Sequence, residues 1–68
     1  MFNENRFNAQ LALIGMSKGE LAERMGIDKS TLYRKIKDNG RFDREEIRDL
    51  IAIMRIEPKD VDAIFFEA

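Results

Sequence analysis

Five side chains between positions 29 and 37 set the chemistry this chain can do. At 100° per residue, Ser30, Tyr33, Arg34 and Lys37 share one face of a helix, with Lys29 at its edge and Leu32 and Ile36 opposite. That face donates hydrogen bonds, carries positive charge and holds one aromatic ring in its middle. The only acids near it are Asp28 before the segment and Asp38 after it. A solvated helix with scattered lysines is the plain alternative. A face built only for solubility normally mixes in glutamate, and this one has none. The composition is that of a helix laid in the major groove of a duplex.

Other chemistries lack their groups. With no cysteine and no histidine, the chain has no disulfide, no thiolate or imidazole metal site and no histidine-based catalytic centre. The acid pairs Glu45–Glu46 and Asp60–Asp62 sit at adjacent or alternate helical positions, which do not converge on one point. They read as solvated faces and first-turn acids that complement helix dipoles. The expectation is a non-enzyme without cofactor or metal.

Charge is uneven. The chain has 68 residues and a net charge of −1, yet Lys29 to Arg41 contains five basic residues against one acid, which is +4 and leaves −5 for the rest. One basic face on an acidic body follows. A hydrophobic content of 44% with 37% charged residues fits an ordinary folded domain. The longest apolar runs, Leu11 to Ile14 and Leu50 to Met54, fall far short of the roughly 20 residues a membrane span needs. The opening Met-Phe-Asn-Glu-Asn does not read as a secretory signal. A cytoplasmic protein with no membrane partner is expected, as one domain over 1–68.

The elements that position the basic face are well punctuated. Asn3, Ser17, Asp28 and Asp43 are good N-caps. Glu20 and Glu46 stand three residues after Ser17 and Asp43, as in a capping box. Phe2 with Phe7, Met16 with Leu21, Ile27 with Leu32 and Phe42 with Ile47 bracket these caps as hydrophobic staples. Pro58 suits a first helical position, and Gly15, Gly26 and Gly40 suit helix ends. The pattern predicts helices near 4–14, 18–25, 29–38, 44–55 and 58–66. Their inward stripes are Phe7, Leu11 and Ile14; Leu21, Ala22 and Met25; Leu32 and Ile36; Ile47, Leu50, Ile51 and Met54; and Val61, Ile64 and Phe65.

Only Gly26 and Ile27 separate the second helix from the cap of the third, Asp28. A turn that short makes two helices cross at roughly 90–120°, which is a helix-turn-helix at about 17–37. Ala22 supplies the small side chain where they touch, and Ile27 and Leu32 plug the shared core. The segment SKGELAERMGIDKSTLYRKIK resembles the helix-turn-helix of the Cro/C1-type (XRE) family, which includes small phage repressors. Ser17, the pair Leu21-Ala22, the run Met25-Gly26-Ile27, and Ser30, Leu32 and Ile36 carry the resemblance. It extends upstream to Gly15-Met16-Ser17 and downstream from Asp43 to Val61, and so covers nearly the whole chain. Lys18 departs from the pattern where the family often has glutamine, as does the short, basic loop from Asp38 to Phe42.

The resemblance implies an all-α, compact five-helix, lambda-repressor-like fold and a transcriptional regulator. It implies base-reading by Lys29, Ser30, Tyr33 and Arg34. Arg34 is able to donate twice to guanine O6 and N7, and Lys29 once to the same acceptors. Tyr33 either packs on a thymine methyl, bonds a phosphate, or lies half-buried over its own helix. Lys18, Lys37 and Arg41 are the expected phosphate contacts, while Lys35 points away from the outer face toward water. At about five phosphates neutralised per subunit, binding should weaken steeply with salt.

One short recognition helix makes few contacts, so a homodimer on double-stranded DNA with a pseudo-palindromic site is expected. Ile53, Phe65 and Phe66 are candidates for a dimer or partner face, or for a tail folded over a small core. The chain leaves no room for an effector-binding domain, so regulation is expected from concentration or a partner. Two functions compete: a repressor of the phage Cro kind in a bacterial host cytoplasm, and an antirepressor or antitoxin-like module that holds another repressor protein through its acidic surface.

Overall fold

A computed structural model describes residues 1–66 and consists of five helices: α1 (Glu4–Ile14), α2 (Lys18–Met25), α3 (Lys29–Lys37), α4 (Arg44–Ile53) and α5 (Pro58–Phe65). This is the expected all-α helix-turn-helix architecture. Helix α2 packs against α3 and α4, and α1 against α5. Among the described residues no helix is long and apolar enough to cross a membrane.

The caps set where the helices begin. Asn3 and Ser17 side chains accept from the backbone N–H of Arg6 and Glu20, both at 3.1 Å. Asp43 and Glu46 form a full capping box: the Glu46 N–H donates to Asp43 Oδ1 at 2.8 Å and the Asp43 N–H to Glu46 Oε1 at 3.0 Å. Asp28 occupies the cap position of α3 with extended backbone, but its carboxylate makes no capping bond, unlike the expectation.

Three helices close with the same reversal. The N–H of Met16 returns to the carbonyl of Leu11, that of Ile27 to Ala22 and that of Ile56 to Ile51, each at 3.0 Å. Gly15 and Gly26 supply the left-handed residue in the first two, and Arg55, at φ +55°, in the third. The α4 pattern predicts helix through 55, but α4 stops at Ile53. The amide of Gln10, on α1, donates to the carbonyls of Met54 at 2.8 Å and Arg55 at 3.3 Å. A side chain 44 residues away thus satisfies carbonyls that have no intrahelical partner at the end of α4. Helix α3 likewise ends one residue early, at Lys37, where Asn39 and Gly40 turn left-handed.

The core joins all five helices: Phe7, Leu11, Leu21, Ala22, Leu32, Ile36, Leu50, Met54, Ile56, Ile64 and Phe65 are buried. Ile14, Met25, Ile47, Ile51 and Val61, expected inside, are half-buried against it. Ile56 is buried although its sequence position reads as linker. At one end, Phe2 lies against the rings of Phe7, Phe42 and Phe65, with centroids 5.3, 6.0 and 6.1 Å away. The start of the chain is strapped to the end of α5 by Asn3 N–H to the carbonyl of Ile64 at 2.7 Å.

Phe2 also explains why position 40 is glycine. The backbone is left-handed there, and a Cβ would overlap the Phe2 ring. Gly15 is equally left-handed, but a Cβ there meets nothing within 4 Å. Gly15→Ala should cost the conformational strain alone, about 1–2 kcal/mol. Gly40→Ala should cost about 2 kcal/mol more, in the range of overpacked cores. Urea unfolding of the two variants checks this; equal midpoints would show that Phe2 does not pack on position 40.

Candidate nucleic-acid interface

Helix α3 is attached to the protein by one narrow stripe. Leu32 and Ile36 are buried, Thr31 and Lys35 are half-buried, and Lys29, Ser30, Tyr33, Arg34 and Lys37 are exposed. The residues expected to read bases therefore share one solvent-facing side, as their spacing requires. Tyr33, 43% exposed, stands on this side as well.

The N-terminal end of this face is built jointly by α2 and α3. The ammonium groups of Lys18 and Lys29 lie 5.5 and 5.7 Å from the centroid of the Tyr33 ring, within cation–π range. The Lys29 methylenes run back over the first turn of α2, where its Cδ is 3.8 Å from the point at which a Cβ on Gly19 would sit. Lys29, Ser30 and Tyr33 line a shallow, open, mainly apolar depression. Among the described residues, neither Lys18, Lys29 nor Arg34 has a carboxylate within ion-pair distance.

The C-terminal end of α3 is electrostatically different. The Lys37 ammonium is 2.9 Å from a carboxylate oxygen of Glu4 on α1, and Arg41 Nε is 3.2 Å from Asp38. Both cations remain largely exposed, and such surface pairs are worth at most about 1 kcal/mol. A phosphate is able to displace either carboxylate at little cost. Lys35 corrects the expectation that it sees only water. Its ammonium is 3.2 Å from Glu46 Oε1, the same oxygen that accepts the Asp43 N–H. Glu46 is held by its capping role, and this places its charge where α3 passes the start of α4.

The apolar residues considered for a partner face separate. Phe65 belongs to the core, 6% exposed, and is not available as a surface group. Ile53 is half-buried against the core beside Met16 and Arg55. Phe66 is 56% exposed, with its ring 6.2 Å from that of Phe65. The sequence reading passed over Leu13, 78% exposed on α1; it sits in the apolar run Leu11 to Ile14, which hides which members face out.

If the outward face of α3 is free of structural duty, its residues are removable without loss of fold. Lys29→Ala, Tyr33→Ala and Arg34→Ala should each change unfolding free energy by less than about 0.5 kcal/mol, whereas Leu32→Ala should cost about 2–5 kcal/mol. Thermal and urea melts check the contrast, and a large loss in Arg34→Ala would show that its side chain props the helix.

Comparison with known proteins bears on the same segment. A family model described as the antitoxin Xre-like helix-turn-helix domain matches residues 8–55, which takes in α2, α3, the turn between them and all of α4. Comparisons with curated proteins and with solved structures found no match. With some seven-tenths of its length matched and the paired helices α2 and α3 joined at Gly26, the chain belongs to the Xre-like helix-turn-helix family.

Proposed function

We propose that the chain is a sequence-specific duplex-DNA-binding regulator of transcription that acts in the cytoplasm by occupying its operator, in the manner of phage Cro and repressor proteins. The observation that carries this reading is the outward face of α3, where Lys29 and Arg34 are exposed cations without carboxylate partners among the described residues. Arg34 donates to guanine O6 and N7, and Lys29 and Ser30 bond base edges beside them. Lys18, Lys37 and Arg41 hold phosphates on either side and so fix the register of α3 in the groove.

A two-fold dimer on a pseudo-palindrome, with half-sites about one helical turn (10 bp) apart, supplies the contact area that one nine-residue helix lacks. Of Ile53, Phe65 and Phe66, Phe66 is the one exposed for that interface. The reading also treats residues 1–68 as one domain and assigns no catalytic step to it.

The antitoxin description of the matching family supports a second reading, in which the chain also or instead binds a partner protein. Fluorescence anisotropy on a labelled genomic duplex pool separates the two. DNA binding should weaken with salt at a log–log slope near −0.9 per phosphate neutralised, and Lys37→Ala should reduce the magnitude by about 0.9 per subunit. Arg34→Ala should lower affinity for the preferred site about 5- to 100-fold while leaving non-specific binding nearly intact. Absent or salt-insensitive binding would rule out the first reading.

A further inference from the structure

We infer that Tyr33 makes the site specific for thymine at one position of each half-site, by holding the 5-methyl group of the base in the depression it forms with Lys29 and Ser30. The inference rests on the DNA-binding reading above and names what one part of that site takes.

Tyr33 stands in the middle of the outward face of α3, 43% exposed, in a position that costs apolar surface in the free protein. Its ring is flanked by the Lys18 and Lys29 ammonium groups at 5.5 and 5.7 Å. Among the described residues no hydrogen bond ties down its hydroxyl. The two cations therefore stand against the π-face of the ring, and the depression beside it, lined by Lys29, Ser30 and Tyr33, remains open and mainly apolar. The apolar walls of the depression offer a methyl group a contact that they do not offer a phosphate.

Of the four base-pair edges in the major groove, only thymine presents a methyl group, and next to it the acceptor O4. The Lys29 ammonium at the edge of the depression is a donor matched to that oxygen. A 5-methylcytosine offers the same methyl beside an N4 amino donor, which faces the ammonium with the wrong sign. Methyl and acceptor together select thymine; the methyl alone does not.

The test uses duplexes that the intact chain retains from a randomised pool, resynthesised with deoxyuridine in place of each thymine in turn. One thymine per half-site should respond, with binding weakened about fourfold by loss of its methyl. 5-Methylcytosine paired with guanine at that position should not restore binding. Tyr33→Phe should keep the deoxyuridine penalty, because the ring and not the hydroxyl makes the contact, and Tyr33→Ala should abolish it. Three results overturn the inference while leaving DNA binding in place: no thymine responds, the penalty persists in Tyr33→Ala, or Tyr33→Phe loses it. A pool from which no duplex is retained overturns the DNA-binding reading itself, and this inference with it.

Discussion

Helix α3 is held to the protein by two buried side chains, Leu32 and Ile36, and by the reversal at Gly26. Nothing else about the molecule matters as much for what it can touch. A nine-residue helix anchored on one narrow stripe leaves most of its circumference to solvent, so five polar side chains project together. The reversal fixes where α3 starts relative to α2. Gly26 takes a left-handed conformation that a larger residue would adopt only with strain, and the Ile27 N–H bonds back to Ala22. Ala22 is itself buried on α2, where a small apolar side chain keeps helix propensity.

That geometry gives the cations of the interface two different states. Lys18 and Lys29 stand over an aromatic ring, and Arg34 is unpaired among the described residues; these charges are presented without competition. Lys37 and Arg41 are shared with Glu4 and Asp38. Exposed pairs of this kind cost little to break. The acidic remainder of the chain is thus not merely passive balance. Glu4 holds Lys37 toward α1, and Glu46 pairs with Lys35 on the side of α3 turned away from the outward face.

Local signals are well recorded in the sequence. The caps at Asn3, Ser17 and Asp43, the stops at Gly15 and Gly26, and the stripe of α3 depend on residues within one or two turns, which periodicity and side-chain chemistry expose directly. So does the outward set Lys29, Ser30, Tyr33, Arg34 and Lys37, because a helix with two apolar residues has only one way to face. The Asp28 side chain shows the limit of such signals: the right residue stands at the cap and its carboxylate goes unused.

The tertiary structure decided everything that depends on partners distant in sequence. The Met54 carbonyl at the end of α4 is capped by Gln10, 44 residues away, and no local pattern announces that amide. Lys35 finds Glu46 and Lys37 finds Glu4 only because α3 passes the starts of α4 and α1. Gly40 reads as a helix stop, and only the packed fold shows that the Phe2 ring fills the space its missing Cβ leaves. Phe65 and Phe66 are adjacent and chemically identical, and strapping the N-terminal segment across α5 puts one in the core and leaves the other outside. Helix starts, turns and faces are short-range consequences of backbone hydrogen bonding and side-chain shape, so the chain's letters carry them. Which charges are free, which carbonyls are capped and which ring is covered depend on how five helices close around one small core.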